Sequence, residues 1–242
     1  MERICIVVPC YNEAQRLKLD AFREFLREQD DIDFCFVNDG STDNTSEVLR
    51  RAVACCPERF LLVDNADNRG KAEAVRCGMS RVASLGRYDM IGFLDADLAT
   101  PLEEIRLLAD MMVKRPELCV TMGARLKRLG ANVQRKAYRH YMGRVFATVV
   151  SLLFRMPVYD SQCGAKLFRA ALVPELFKEP FSSGWLFDVE ILLRLRDLYP
   201  DYENVVCEVP LCVWIEQGDS RIRLSHLLKM PGELLQIYRR YM

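Results

Sequence analysis

Between Leu118 and Tyr159 the sequence has no aspartate or glutamate, although the whole chain holds 34 acidic and 34 basic residues. That stretch carries Arg125, Lys127, Arg128, Arg135, Lys136, Arg139, Arg144 and Arg155, a one-sided field that predicts an anionic partner for the segment. The net charge is zero, which argues against a generally basic binder of nucleic acid. Histidine is scarce, and neither His140 nor His226 stands in a metal or nucleophile spacing. The ten cysteines form no CxxC pair. Cys5, Cys35, Cys119 and Cys207 lie inside apolar strand-like runs, which predicts thiols used as small hydrophobes. Cys163 has no histidine near it in sequence, which argues against a thiol nucleophile. There is no P-loop and no GxGxxG, so NTPase and dehydrogenase readings fall away. The longest apolar run, residues 145–154, is about half of what spans a bilayer. With no signal-peptide pattern at the start, the expected compartment is a reducing cytoplasm.

What is present is organised around Ile91-Gly92-Phe93-Leu94-Asp95-Ala96-Asp97-Leu98-Ala99-Thr100-Pro101. An apolar run rich in strand formers stops at two carboxylates spaced i, i+2, and a proline then opens a helical pattern. In an open parallel sheet ligands bind beyond the carboxyl ends of the strands. If the chain stays extended there, alternation points Asp95 and Asp97 to one side. Two such carboxylates suit a hard divalent cation shared with substrate phosphates.

The rest of the first half repeats the pattern. Strands are predicted at 3–8, 32–37, 60–63, 89–94 and 118–124, with helices at 14–28, 43–54, 71–83 and 101–115. Strands alternating with helices of this length predict an α/β fold with a mainly parallel central sheet and helices on both faces. Beyond it the periodicity predicts one long helix over 131–154, a glycine turn and short strand in 160–168, a helix at 184–198 and a strand at 205–213. The run 145–154 is expected to pack in the core, with lipid as the alternative. An amphipathic tail, 221–242, mixes leucines with Arg221, Arg223, Arg239 and Arg240, and Pro231 should break it. It is expected either to lie on an anionic bilayer or to dock on the sheet. Residues 1–220 thus read as one domain, with halves 1–125 and 126–220, followed by the tail.

Three acid-bearing loops follow the first, second and fourth strands: Pro9-Cys10-Tyr11-Asn12-Glu13, Asn38-Asp39-Gly40-Ser41-Thr42-Asp43 and Asp95-Ala96-Asp97. All fall on one edge of the sheet, and their chemistry suits a nucleotide diphosphate. Tyr11 can stack on a base, Asn38 or Asp39 can bond a base edge or ribose, and Glu13 can accept from ribose hydroxyls. Gly40 permits the tight turn that brings the backbone close.

Together with Asn68-Arg69-Gly70-Lys71, these motifs resemble inverting glycosyltransferase family 2, with its GT-A fold. Asp160-Ser161-Gln162-Cys163-Gly164-Ala165-Lys166-Leu167-Phe168 and Trp185-Leu186-Phe187-Asp188-Val189-Glu190 are similar to the dolichyl-phosphate mannose and glucose synthases within it. One departure is Asn38, where those enzymes commonly have a second aspartate.

The resemblance implies a GT-A-like hexosyltransferase using a divalent cation, Mg²⁺ or Mn²⁺, on Asp95 and Asp97. Pro9, Tyr11, Glu13, Asn38, Asp39, Lys71, Asp95 and Ala96 would bind the nucleotide sugar; the alternative for Lys71 is a solvated lysine at a helix start. UDP-glucose is favoured as donor, with GDP-mannose next. The implied acceptor is a polyprenyl- or dolichyl-type phosphate, met by Arg125, Arg135, Gln162 and Lys166. Asp97, Asp160 and Asp188 are the catalytic candidates, with Asp160 and Asp188 rivals for a base or an orienting role. The expected setting is peripheral, on the inner face of the membrane, with room for a membrane-embedded partner protein and none for nucleic acid. A glycan acceptor in cell-surface polysaccharide synthesis, or a non-catalytic sugar-nucleotide-binding subunit, are the alternatives.

Overall fold

In the computed structural model, which describes residues 2–218 and 224–242, the apolar runs of the first half become strands as expected. The elements in chain order are β1 (Ile4–Cys10), α1 (Leu19–Arg27), β2 (Ile32–Asp39), α2 (Thr45–Cys55), β3 (Phe60–Asn65), α3 (Lys71–Ala83), β4 (Met90–Leu94), α4 (Glu104–Lys114), β5 (Val120–Ala124) and β6 (Asn132–Gln134). There follow α5 (Ala137–Phe154), β7 (Ala165–Arg169), α6 (Val173–Leu176), α7 (Phe187–Leu198), α8 (Tyr202–Val205), β8 (Val206–Pro210), β9 (Val213–Ile215) and α9 (Leu224–Tyr241). No described helix is long and apolar enough to cross a membrane.

The chain forms two compact units, Met1–Leu98 with Gly164–Pro180, and Ala99–Cys163 with Phe181–Met242. In the first, β3, β2, β1 and β4 lie side by side and parallel, and β7 pairs antiparallel with β4. Strands β1, β2 and β4 are buried on both faces, which is why they read as continuous apolar runs and not as alternation. β1 continues two residues past its expected end, through Pro9 and Cys10. Its pairing with β4 stops at Val7, so the missing N–H of Pro9 breaks no ladder bond on that side. Cys5 and Cys35 are buried, Cys119 and Cys207 are half-buried, and no described pair is bonded.

In the second unit β5 pairs with β8 and β6 with β9, both parallel. The long helix expected over 131–154 begins only at Ala137, because Val133 is buried in a strand whose neighbours are bonded to the 212–216 segment. Asn132 N–H donates to Cys212 O (2.8 Å), and Glu216 N–H to Gln134 O (3.1 Å). The first helix likewise starts late, at Leu19, after turns in which Arg16 and Leu17 N–H both donate to Glu13 O.

The tail behaves differently from its sequence reading. Pro231 lies inside α9 and does not end it. The lost backbone bond is offset by packing: Ile237 is fully buried, and Met230, Leu234 and Tyr241 pack around a core of Met122, Val150, Phe154, Leu186, Val189 and Leu193. Buried Glu190 on α7 adds a polar anchor, accepting from Tyr241 Oη (2.9 Å) and Arg194 Nη2 (3.0 Å). The described part of the tail therefore docks on a core built by helices α5 and α7 with Met122 of β5. Arg221 and Arg223, and the side chain of His226, lie outside the described residues.

Candidate active site

In the first unit the loops at the carboxyl ends of β1, β2 and β3 are fastened to one another. Asn12, at φ +50°, accepts through Oδ1 from Thr42 N–H (2.9 Å) and Asp43 N–H (3.3 Å), while its own N–H donates to Ser41 Oγ (3.0 Å). Glu13 N–H donates to Thr45 Oγ1 (2.8 Å), and Asp43 accepts from Thr45 N–H (2.9 Å) just ahead of α2. Tyr11 stands on this clasped pair with its ring exposed, while Glu13 is buried beneath.

Asp39 is buried at the end of β2, and each of its oxygens accepts a backbone N–H, from Arg69 (3.0 Å) and Gly70 (2.8 Å). Gly40 beside it has φ +58°, and a Cβ there would lie 2.2 Å from the Asp67 carbonyl carbon. The β3–α3 loop thus sits directly on the β2 loop, and this contact is what requires glycine at position 40. Asn38 pairs in register with Asp64 of β3, and its Nδ2 donates to Asp64 Oδ1 (2.7 Å). An aspartate at 38 would set two carboxylates against each other, which gives the departure from the family pattern a physical reason. Burial raises the Asp64 carboxyl, but hydrogen bonds from Asn38, Ser46 and Arg50 outweigh it and hold it below its ordinary value.

Seated this way, Lys71 opens α3 and its Nζ lies 2.5 Å from Asp95 Oδ1. The Asp-Ala-Asp motif is not extended. It forms a turn in which Leu98, at φ +53°, donates its N–H to Asp95 O (3.3 Å), so strand alternation does not set the directions of Asp95 and Asp97. Both aspartates are partly exposed and Ala96 between them is buried. Gly164 leans on the same turn: a Cβ at Gly164 would fall 1.9 Å from Asp95 Oδ2. Lys166, on β7 opposite Phe93, is fully buried with Nζ 5.5 Å from the centre of the Phe93 ring. No cluster of three or more metal-ligating side chains occurs among the described residues. Asp95 and Asp97 fit a cation that completes its shell with substrate phosphate and water, as two carboxylates on a partly open turn would.

In the second unit Arg125 and Asp160 form a two-pronged ion pair. Nε donates to Oδ2 and Nη2 to Oδ1, each at 2.7 Å, and the Arg125 N–H adds a third bond to Oδ2 (3.0 Å). Glu208 on β8 holds the loop from behind by accepting from Tyr159 N–H and Asp160 N–H, both at 2.7 Å. Burial raises the Asp160 carboxyl, but the Arg125 charge and hydrogen bonds outweigh it and keep it below its usual range. Gln162 gives its carbonyl to Arg125 Nη2 (3.0 Å), while its own Nε2 is buried without a hydrogen-bond partner among the described residues.

Arg135 lies on the wall of an open pocket of ≈ 800 Å³ lined also by Lys127, Arg128 and Lys136. It makes no hydrogen bond or ion pair with a described residue. Burial and the nearby Arg125 charge push it down to about 10, so it stays protonated at neutral pH. Asp188 is buried in the first turn of α7.

The structure thus brings Asp39, Lys71 and Asp95 together with the clasped loops in one unit, and Arg125, Asp160 and Gln162 in the other. Sequence reasoning missed Asn12, Gly164 and Glu208 as the residues that hold these groups in place. Glu208 had a signal, a lone acid in the apolar strand Val-Cys-Glu-Val-Pro.

Residues 5–177 match the model of Glycosyl transferase family 2. The chain is 30% identical over 260 residues to the dolichyl-phosphate beta-glucosyltransferase of Saccharomyces cerevisiae, covering 99% of this chain and 75% of that protein. It is 31% identical over 243 residues to a dolichyl-phosphate beta-glucosyltransferase of Trichomonas vaginalis, covering 96% of this chain and 69% of that protein. Among solved structures, glucosyl-3-phosphoglycerate synthase from Mycobacterium tuberculosis, in complex with Mn²⁺, UDP and glucosyl-3-phosphoglycerate, superposes with a TM-score of 0.71 at 17% identity. That match covers 98% of this chain and 80% of that one. A mannosyltransferase from Pyrobaculum calidifontis, in complex with GDP-Man and Mn²⁺, gives 0.64 at 20% identity, covering 99% and 64%. At such identities these two show the fold, which is GT-A.

Proposed function

The chain belongs to glycosyltransferase family 2, and from that premise we propose that it transfers glucose, with inversion, from UDP-glucose to a dolichyl- or polyprenyl-type phosphate at the cytoplasmic face of a membrane. The relatives at 30% and 31% identity, aligned along nearly the whole chain, support both the donor and the acceptor class. The observation that carries the acceptor is Arg135, a half-buried guanidinium with no hydrogen bond or ion pair among the described residues, in a pocket where Lys127, Arg128 and Lys136 outnumber the one acid, Glu216. A planar fork of donors at such a place suits phosphate oxygens.

In this reading Tyr11 stacks on the base, and Pro9, Glu13, Asn38, Asp39 and Ala96 shape the nucleoside side. Asp95 and Asp97 would hold Mg²⁺ or Mn²⁺, which neutralises charge on the leaving diphosphate when bound. Lys71, Arg125, Arg135 and Lys166 supply the protein's own positive charge to donor and acceptor phosphates. An oxygen of the acceptor phosphate attacks the anomeric carbon as the bond to the diphosphate oxygen breaks, which inverts the linkage and releases UDP. A phosphate is already ionised at neutral pH, so no strong base is needed. Asp160, held by Arg125 with its pKa lowered, is suited to orienting and not to taking a proton. Gln162 Nε2 is a donor ready for a substrate oxygen, and Asp188 remains the rival orienting carboxylate.

The test is transfer of labelled sugar from UDP-glucose and, in parallel, GDP-mannose into an organic-extractable product, with polyprenyl phosphate and Mg²⁺ or Mn²⁺. Label from UDP-glucose in the organic phase is the expected result. Label from GDP-mannose alone would replace the donor, and label in neither would overturn the lipid acceptor.

A further inference from the structure

Helix α5 carries apolar residues on two opposite faces, and only one of them is covered. Ala147, Val150 and Phe154 are buried within the second unit. Tyr138, Tyr141, Met142, Val145, Val149 and Leu152 are exposed, Leu152 to 77% and Tyr141 to 68%. At about 100° per residue these six fall within an arc of roughly 100°, so they form one stripe running the length of the helix. Single exposed apolar residues are ordinary on a surface, but a continuous stripe marks a face with a partner. Helix α9 also exposes Leu235, Tyr238 and Met242, spaced i, i+3, i+7. The rings of Tyr238 and Phe154 lie 6.3 Å apart between centroids, so α9 packs on the covered face of α5 near its carboxyl end and leaves the stripe open.

Charge identifies the occupant. The whole segment from Leu118 to Tyr159 lacks acidic residues, and Lys127, Arg128, Lys136 and Arg155 are exposed on it. Arg139 and Arg144, on the helix itself, turn away to Glu216 (2.7 Å) and to the Tyr159 carbonyl (2.7 Å), leaving the stripe uncharged. Leu129, fully exposed, sits between Arg128 and Gly130 in the loop that leads toward α5. An apolar stripe with tyrosines, bordered by cations and free of acids, matches a helix lying in a lipid interface. A second copy of the chain would bring the same basic field against itself, which disfavours a symmetric dimer.

We propose that the exposed stripe of α5 docks the protein in the plane of an anionic bilayer surface. The choice of a lipid occupant rests on the lipid-phosphate reading above, but docking itself is read without any turnover. The experiment is flotation of the full chain with phosphatidylcholine vesicles, with and without phosphatidylserine, alongside the double variant Val145→Glu/Leu152→Glu. Both positions are exposed, so thermal unfolding should be unchanged, which a melting curve checks.

The expected result is binding to anionic vesicles that falls by about tenfold or more on neutral vesicles and again in the double variant. A wild type that binds neither vesicle, or a variant that floats as the wild type does, overturns the proposal. So does a wild type that is dimeric by light scattering where the variant is monomeric, since the face would then belong to a second copy. A short-chain, water-soluble polyprenyl phosphate separates the two readings. Equal turnover of it by wild type and variant, with flotation lost in the variant, supports docking together with the acceptor class. Flotation by the wild type with no turnover of any polyprenyl phosphate leaves docking standing and removes the acceptor reading.

Discussion

Gly164 and Asp95 approach so closely that no methyl group fits between them: a Cβ on Gly164 would lie 1.9 Å from Asp95 Oδ2 and 2.4 Å from its Cγ. Asp95 is at the same time 2.5 Å from Lys71 Nζ. The carboxylate is therefore positioned from two sides, by a cation and by the backbone of the Asp-Ser-Gln-Cys-Gly motif. That motif reads in sequence as an acceptor element, yet its last glycine bears on the donor-side acid pair.

Gly164→Ala should move Asp95 while leaving the buried strands β4 and β7 paired. A displacement of about an ångström at a positioned catalytic group costs on the order of 10² in rate. The expected outcome is a loss of that size in kcat, with a melting temperature close to that of the wild type. Wild-type turnover by Gly164→Ala would show that the position of Asp95 does not limit transfer.

Asn38→Asp restores the family's usual residue and should harm this chain. The amide that now donates to Asp64 at 2.7 Å would become a second carboxylate facing the first. At neutral pH the cost should be about 1–3 kcal/mol, that of losing a good hydrogen bond and adding like-charge repulsion. The introduced carboxyl would have its folded-state pKa raised. Its penalty is therefore present above that pKa and disappears as the pH falls and the group is protonated. Urea unfolding of variant and wild type at neutral pH and in mild acid measures this, and the gap should close in acid. A gap that is constant with pH would rule out the charge explanation.

The Arg125–Asp160 pair sets an acid limit on the second unit. The folded-state pKa of Asp160 lies below its ordinary value, so its contribution to stability is complete above about 3.9 and is lost as the pH falls through the lower folded value. Asp160→Asn should remove that pH dependence and destabilise by about 3–5 kcal/mol at neutral pH, because Arg125 is left largely buried without its counter-charge. Chemical denaturation of both proteins across the acid range decides it. A variant as stable as the wild type at neutral pH would mean that Arg125 finds another anion.

What could be read in advance follows from which forces are local. Strands β1 to β5 and helices α2 to α4 were legible because burial on both faces or along one stripe writes a period into the sequence. The acid-bearing loops were legible because each ends a strand. The hydrogen bonds that fix them were not: Asn12 to Thr42, Asp39 to Gly70 and Glu208 to Asp160 join residues 30, 31 and 48 positions apart, with no spacing rule to predict them. Two elements misled for the same reason. Residues 132–134 look helical in isolation but are captured as a strand by residues 213–215, and Pro231 looks like a helix breaker until Ile237 is buried against α5 and α7. Tertiary packing outweighed local preference in both.

Arg135 offers the sharpest separation of binding from chemistry. Its guanidinium is half-buried, stays protonated with a pKa of about 10, and touches no described carboxylate. In the free protein this is a destabilising arrangement, since burial and the Arg125 charge outweigh the attraction of Asp160 and Glu216. Arg135→Ala or Arg135→Gln should therefore leave thermal stability unchanged or raise it slightly. If the anion that compensates it is the acceptor phosphate, the same variants should raise KM for that acceptor by roughly 10- to 100-fold, the range of a charge-assisted hydrogen bond of about 1.5–3 kcal/mol. KM for UDP-glucose should stay within about twofold. Initial rates with each substrate varied in turn give both numbers. A rise in the donor KM instead would place the donor diphosphate, and not the lipid phosphate, against Arg135.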